Sequence, residues 1–292
     1  MATKVGGVSF VTDTQAPAAL FPGQGSQTPE MRDLVARLAP ELLDRATELV
    51  GEDPFARVEE STRFAQPAIF CASLAGWDAL DLEPSAAAGH SLGELAALAA
   101  AGVLDRDDAL ALVVLRGRLM AEADDSGSML ALVGATEAEA AEIAQQAGVT
   151  VANDNAPGQL VLSGSRTALA VAEEDARDHG RRALKLDVAG AFHSPAMAPA
   201  VAPFRAALDE VQLGESRFPV VSCSTTEPFT DVRAELSAAL TTPVRWRETM
   251  LALHAAGVGR YVEVGPGKVL ARLGKRILPD GGKVETPELA HA

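Results

Sequence analysis

Cysteine is nearly absent: Cys71 and Cys223 are the only two in 292 residues. They lie far apart and in no metal-ligand spacing, so neither a disulfide framework nor a zinc site is supported, and two free thiols fit a reducing compartment. Aromatic residues are scarce at 4%, so the core has to be built from Ala, Val and Leu. Positive charge is in deficit, with 25 Lys and Arg against 40 Asp and Glu and a net charge of −15. A field of that sign repels phosphate backbones and argues against general nucleic-acid binding. No apolar run approaches the roughly 18 residues needed to span a bilayer, and residues 1–14 lack the charged start and long apolar stretch of a signal peptide. The expectation is a cytoplasmic protein with neither a membrane nor a nucleic-acid partner.

What is present suits a chain with a sizeable core: 48% of residues are hydrophobic and 22% charged. At roughly 150 residues per domain, the length admits two domains or one large domain with an inserted lobe. The first sixteen residues read as a loose polar arm. Ala18–Phe21 reads as a short buried strand ending in the glycine-bearing turn Pro22-Gly-Gln-Gly-Ser-Gln27. Leu34, Leu38, Leu42, Leu43 and Leu49 predict helix over 30–50, and a further helix is read from Pro67 to Leu80. Ser85–Gly89, short, small and apolar, suits a central strand buried on both faces. Helices are expected over Gly93–Ala101 and Asp105–Met120, with Asp105 as N-cap of the second.

Strand 128–133, helix 136–147, strands 149–153 and 159–163, helix 166–179 and strand 182–187 then follow in βαββαβ order, the ferredoxin-like signature. They predict a small subdomain over 127–190, able to hinge on its two connections and dividing a large subdomain of 1–126 and 191–292. Beyond it are expected helix 195–211, strand Pro219–Ser222 and helices Arg233–Leu240 and Arg247–Ala256. Strand Arg260–Val264, the Gly265-Pro-Gly267 turn, helix Lys268–Ile277 and a frayed tail from Pro279 complete the chain.

The strongest local signal is Gly89-His90-Ser91-Leu92-Gly93, a Gly-x-Ser-x-Gly between a strand and a helix. A sharp strand-to-helix turn needs small flanking residues, lifts the serine Oγ clear of the sheet and aims the free N–H groups of the helix start at a developing oxyanion. A nucleophilic serine needs a base. His90 adjoins the serine and is read as structural or as shaping the pocket. His179 and His254 belong to surface helices and His291 to the tail. His193, where the small lobe rejoins the large one, occupies an interdomain cleft and is the best base. Arg116 can hold a carboxylate with two parallel hydrogen bonds, or can face the dipole of a helix C-terminus; spacing alone favours the second reading. Pro22-Gly-Gln-Gly25 lacks the Lys-Ser/Thr and the spacing of a nucleotide loop and better serves to bring N–H groups to the serine.

These segments, together with Arg116-Gly-Arg-Leu-Met120, Asn155-Ala-Pro-Gly-Gln159, Ala191-Phe-His-Ser194, Pro243-Val-Arg-Trp246 and Glu263-Val-Gly-Pro-Gly-Lys268, resemble the malonyl-CoA:acyl-carrier-protein transacylase family, also met as acyltransferase domains of polyketide and fatty-acid synthases. The resemblance covers roughly residues 18–277. It implies an α/β-hydrolase-like core with an inserted ferredoxin-like subdomain. It implies Ser91 as acylated nucleophile, His193 as base and then acid, and Gln24 with the Leu92 N–H as oxyanion hole. Arg116 is implied as partner of the malonyl carboxylate, Met120 and Phe192 as pocket lining, and Asn155 as a neighbour of the pocket. The implied partners are malonyl-CoA and an acyl carrier protein, with no cofactor and no metal, in a discrete, monomeric enzyme. Phe192 before His193 resembles malonyl-using members rather than methylmalonyl-using ones.

One position departs from the family. Many relatives carry Gln four residues before the proline of Pro243-Val-Arg-Trp246, where it helps orient the histidine; here it is Ala239, which can still offer its main-chain carbonyl. A second expectation concerns charge: Arg245, Arg247, Arg260, Lys268, Arg272, Lys275 and Arg276 face only Glu248 and Glu263 over the same stretch. This C-terminal basic region, with Arg181, Arg182 and Lys185, is expected to dock the carrier, the alternative being solvated helix faces. Two other functions share the serine. An esterase or thioesterase leaves Arg116 without a purpose, and a catalytically silent carrier-binding scaffold leaves the whole Ser91, His193 and Arg116 set without one.

Overall fold

The computed structural model describes residues 3–5, 8–10, 16–123, 126–279 and 282–288. In the arm expected to be loose, Thr3–Val5 (β1) pairs antiparallel with Val8–Phe10 (β2); residues 1–2, 6–7 and 11–15 lie outside the described residues.

Ala18–Phe21 (β3) and Ala86–Gly89 (β4) are buried at every position. Strands covered on both faces need no polar alternation, and these two pair in parallel, from Ala18 opposite Ala86 to Phe21 opposite Gly89. Val220–Val221 (β9) extends the sheet beyond β4, and Tyr261–Glu263 (β10) flanks β3, both in parallel. The tail is not frayed throughout: Val284–Glu285 (β11) adds to the free edge of β10. Gly274 makes room for it, since a Cβ there would meet Val284 Cγ2 at 2.5 Å.

Helices cover both faces of this sheet. The helical stretch expected over 30–50 divides at Ala39 into Met31–Leu38 (α1) and Pro40–Val50 (α2), because Pro40 has no N–H to continue a helix but suits the first position of a new one. Thr62–Asp78 (α3) starts five residues ahead of Pro67, capped by the Ser61 hydroxyl, which accepts from Arg63 N–H at 3.2 Å, and keeps Pro67 inside. Gly93–Ala101 (α4) follows β4 directly and is buried all round. Arg106–Ala123 (α5) is capped by Asp105, whose Oδ1 accepts from Asp107 N–H at 2.9 Å. Helix α5 therefore outruns its expected end at Met120, and Arg116 lies inside it, which removes the helix-terminus reading of that residue.

The insertion is a second sheet. Gly127–Val133 (β5), Thr150–Ala156 (β6), Gln159–Ser165 (β7) and Arg182–Lys185 (β8) run antiparallel in the order β6-β7-β5-β8. One face packs Leu130, Leu132, Leu160 and Leu162 on Glu137–Ala147 (α6) and Arg166–Asp178 (α7). The alternate residues Met129 and Val161 join the main core and line the cleft between the lobes, as the two-residue period of a strand requires.

The chain returns through a 3-10 turn at Pro195–Met197, followed by Ala198–Glu210 (α8) in place of one continuous helix from 195. Val232–Ala238 (α9), Trp246–Ala255 (α10) and Val269–Ile277 (α11) complete the large lobe. The buried Glu263 carboxylate accepts from the N–H groups of Leu270 and Ala271, both at 2.9 Å, and so caps the start of α11. No helix among the described residues is long and apolar enough to cross a membrane.

Candidate active site

The turn between β4 and α4 is shaped by glycines that nothing larger could replace. A Cβ on Gly89 would fall 1.9 Å from the Gly93 carbonyl carbon, and one on Gly93 would fall 2.1 Å from Phe21 O. A Cβ on Gly23 would meet His90 O at 2.5 Å, so the Pro22–Gln27 turn presses on the same elbow. Between these contacts Ser91 is held at φ 51°. The left-handed region costs a side-chain-bearing residue about 1–2 kcal/mol, and it is what raises Oγ above the strand ends.

His193 reaches Ser91 from the other connection. It too has a positive φ, 54°, and the next residue fixes the turn: Ser194 Oγ donates to Ala191 O at 2.6 Å and accepts from Ala196 N–H at 3.3 Å. His193 Nε2 lies 2.8 Å from Ser91 Oγ. Its Nδ1 is 2.9 Å from Ala239 O and 3.2 Å from Thr242 O. Carbonyls only accept, so Nδ1 carries the proton and Nε2 is left to accept from the serine hydroxyl. Ala239 thus orients the histidine through its main chain. Burial, helped by the nearby Arg116 charge, pushes the imidazole down to about 3 from its ordinary 6.5, so it stands neutral and ready to take a proton.

Arg116 is buried on α5 and donates from one terminal nitrogen to Ser91 Oγ at 3.1 Å and from the other to Gln66 Oε1 at 2.7 Å. Gln66, also buried, donates to Thr62 Oγ1 at 2.8 Å and approaches Met120 Sδ at 3.4 Å. Helix α5 comes this close to α3 because residue 117 is glycine, where a Cβ would stand 3.0 Å from Thr62 O. Burial lowers the guanidinium to about 10, still charged at neutral pH. No carboxylate among the described residues lies within ion-pair distance of it. Glu94 is nearest in electrostatic effect, but burial raises that carboxyl to about 7. The site therefore holds a buried cation without a matching anion.

A cavity of about 350 Å³ opens above these groups and is lined by Gln24, His90, Ser91, Leu92, Arg116, Met120, Asn155, Phe192 and His193. All eight residues singled out for the site from the sequence border this one space. The N–H groups of Gln24 and Leu92 make no hydrogen bond among the described residues, and Leu92 stands at the start of α4. Asn155 Oδ1 accepts from His90 Nε2 at 2.8 Å, tying β6 to the turn that carries Ser91. A second hollow, about 410 Å³, adjoins the first and shares Gln24, Met129 and Phe192 with it.

Two contributors were missed in the sequence. Gln66 carries no local signal, being one polar residue in a buried helix. Glu94 does carry one, as the only charge in α4: its Oε1 accepts from Ser222 Oγ at 3.0 Å and Cys223 N–H at 2.8 Å, clamping the end of β9 to the helix that follows Ser91.

Comparison with known proteins places these features in a family. The family model described as an acyl transferase domain matches residues 20–289. The malonyl CoA-acyl carrier protein transacylase of Haemophilus influenzae is 36% identical over 298 residues, covering 94% of this chain and 96% of that one. Among solved structures, the malonyl-CoA:acyl carrier protein transacylase from Xanthomonas oryzae pv. oryzae matches with a TM-score of 0.86 and 35% identity, covering 92% of this chain and 93% of the other. A structure of a type II PKS acyl-carrier protein in complex with its malonyl-transacylase, PlMCAT:AntF, matches with a TM-score of 0.84 and 34% identity over 93% and 95% of the two chains.

Proposed function

The chain belongs to the acyl transferase domain family, and from that premise we infer that it is a malonyl-CoA:acyl-carrier-protein S-malonyltransferase acting through a malonyl-serine. The observation that carries this reading is the buried, unmatched charge of Arg116 at 3.1 Å from Ser91 Oγ. Such a cation calls for an acyl group that brings its own carboxylate, and malonyl is the small acyl group that does so. Acetyl would leave the guanidinium buried and unpaired, a difference worth about 1.5–3 kcal/mol for one hydrogen bond to a charged group.

In the first half-reaction the Ser91 proton passes to His193 Nε2 as Oγ attacks the thioester carbonyl. The oxyanion is stabilised by the Leu92 N–H at the start of α4 and by Gln24. Collapse expels the CoA sulfur, which takes the proton from His193. In the second half the phosphopantetheine thiol of the carrier gives its proton to His193 and attacks the malonyl ester, and Ser91 leaves as the protonated hydroxyl. Thioester, oxyester and thioester lie close in energy, so the site has to exclude water more than it has to drive the reaction. The malonyl group is steered by Arg116, held in turn by Gln66, while Met120 and Phe192 wall the pocket and Asn155 braces His90. The product serves fatty-acid or polyketide synthesis.

The β6-β7-β5-β8 order and its two helices support reading 127–190 as a ferredoxin-like insertion. The parallel β9-β4-β3-β10 sheet with a serine elbow supports an α/β-hydrolase-like core made of 1–126 and 191–292. The reaction as written needs no cofactor or metal. A monomer is the default reading, and two buried free thiols suit the cytoplasm. A hydrolase is disfavoured because Arg116 has no role in releasing an uncharged acyl chain.

Intact-protein mass spectrometry after brief exposure to malonyl-CoA tests this. A malonyl adduct that requires Ser91, exceeds the acetyl adduct and disappears onto added phosphopantetheinylated carrier is expected. An adduct that decays to free acid without carrier, or none at all, would overturn it.

A further inference from the structure

β6 is the outermost strand of the four-stranded sheet, and its free edge is taken up by one residue from outside that sheet. Val244 donates its N–H to Ala152 O and accepts from Asp154 N–H, both at 2.8 Å, as a parallel bridge opposite Asn153. β6 leaves its register with β7 twice, at Ala152 and at Asn155. Bulges beside a site re-aim what a strand presents. Here one turns the Ala152 carbonyl to Val244 and the other turns the Asn155 amide to His90 Nε2.

Val244 belongs to a short run, 239–247, that also supports both Ser91 and His193. Ala239 O and Thr242 O accept from His193 Nδ1. Arg245 N–H donates to Cys223 O at 2.7 Å, just past β9, and the Trp246 ring packs 5.5 Å from that of His90. Arg247 ends the run. Its Nε and one terminal nitrogen both donate to Asp154 Oδ2 at 2.8 Å, and that terminal nitrogen also reaches Glu137 Oε1 at 2.5 Å. The side chains of Arg247 and Asp154 are only 20% and 14% exposed, so solvent screens this pair less than one on the open surface. Helix stability does not explain the arginine, since a positive charge in the first turn of α10 opposes the dipole. The other end of the same sheet has no such fastening. Among the described residues no hydrogen bond or ion pair joins 58–62 to 185–189 across the hollow of about 410 Å³.

We propose that Asp154 and Arg247 are positioning residues for the acyl transfer: by fastening β6 to the 239–247 run they hold Ser91 in line with His193. The proposal rests on the transacylase reading and adds how its reacting pair is kept in register. Neither side chain lines the cavity. Each acts through its neighbour, Asp154 through Asn155 and Arg247 through Trp246, and both neighbours meet at His90, next to Ser91. His193 is held from the same run by Ala239 O and Thr242 O. One ion pair therefore spans the supports of nucleophile and base, between which a shift of about 1 Å costs up to about a hundredfold in rate.

Arg247→Met removes the pair and keeps an unbranched stem, and Asp154→Asn/Arg247→Met does so without stranding a charge. Arg247→Lys is the conservative form: both guanidinium contacts with Asp154 fall on one carboxylate oxygen, which an ammonium can also reach. Arg205→Met, which breaks the pair with Asp209 on α8, is the control. Labelling of Ser91 by a serine-directed fluorophosphonate reads its alignment with His193, and steady-state kinetics with malonyl-CoA and a phosphopantetheinylated carrier read transfer. Both methionine variants at 247 are expected to label about tenfold more slowly and to lose a similar factor in kcat, with the malonyl-CoA KM within about twofold. Arg247→Lys should recover to within about threefold of the parent, and Arg205→Met should equal the parent. A lowered Tm with labelling and kcat unchanged overturns the proposal, since the pair would then serve folding alone. So does a raised malonyl-CoA KM with kcat kept, which would make the two residues substrate contacts, and so does an equal loss in the control. Fluorophosphonate labelling needs neither malonyl nor carrier. It therefore decides the proposal even where the parent takes up no malonyl, an outcome that would sink the transacylase reading by itself.

Discussion

Replacing Gln66 by leucine isolates the residue that holds Arg116, the arginine proposed to bind the malonyl carboxylate. The leucine keeps an apolar side chain of similar length on α3 but removes the acceptor that stands 2.7 Å from Arg116. A hydrogen bond to a charged group is worth about 1.5–3 kcal/mol, and each 1.4 kcal/mol is about a factor of ten in rate. If the guanidinium is in place for the malonyl carboxylate only because Gln66 holds it, kcat/KM for acylation by malonyl-CoA should fall by about 10- to 150-fold. Acetyl-CoA, which makes no use of Arg116, should acylate Ser91 within about threefold of its former rate. Quenched mass spectrometry of the acyl-enzyme with each donor gives both numbers. Gln66→Glu provides the converse: a carboxylate built in at the same distance occupies the arginine permanently, so malonyl should lose more than in the leucine variant while acetyl again changes little. Equal losses for the two donors would mean that Gln66 serves packing alone, and an unchanged malonyl rate would mean that Arg116 needs no support. Either result refutes the reasoning.

Three further outcomes are expected. Because the imidazole is held near 3 rather than 6.5, kcat/KM for acylation should stay level from pH 7.5 down to 5, whereas an acidic limb centred near 6.5 would contradict the geometry. The same group links to stability: the unfolded chain takes up this proton near 6.5 and the native protein only near 3, so its contribution is complete above 6.5 and is lost as pH falls through that window. Ala239→Gln should change acylation by less than about twofold, since the main-chain carbonyl already holds His193; a large gain would show that a side chain is needed there. Glu94→Gln retains an acceptor for Ser222 and Cys223, whereas Glu94→Leu strands both donors and should cost about 2–4 kcal/mol in denaturant titration. With its carboxyl raised to about 7, native Glu94 gives stability that fades as pH rises from the ordinary 4.5 through that value. The glutamine variant should therefore gain on the parent in Tm between about pH 4.5 and 7 and hold that gain above it, and parallel Tm curves through this window would count against a buried acid.

What the sequence disclosed was whatever is encoded locally. A strand, a turn and a helix are all contained in 86–101, so the serine elbow is written in one stretch of chain, and α4 lies where its spacing puts it. The βαββαβ run is legible for the same reason, since each element has its own period and its own breakers. Gln66 is different: its meaning depends on Gly117, some fifty positions away, allowing two helices to touch, and no window of neighbours contains both. The break at Ala39 was available in principle, because Pro40 lacks the donor that a continuous helix requires, yet the leucine spacing carries across it. Val284–Glu285 is a strand because an edge of β10 is open to it and Gly274 leaves it space, which two residues cannot announce. Charge misled in part. A count of basic residues does not reveal which already have partners, and Arg245, Arg247 and Arg260 do.

Ser91 and His193 are two of only three residues other than glycine with positive φ among the described residues, the third being Thr226. Glycine at Ser91 would relieve about 1–2 kcal/mol of backbone strain, set against about 0.4–1 kcal/mol for the greater freedom it gives the unfolded chain; at His193 the same relief is outweighed by the loss of a buried ring bonded to two carbonyls. Inactive descendants of this gene therefore have a downhill path open to them at Ser91. A lineage released from catalysis but kept for its bulk or its contacts, or a laboratory selection for heat tolerance with no activity screen, should drift first at this codon. Its retention in any such population is a record that turnover was still being selected.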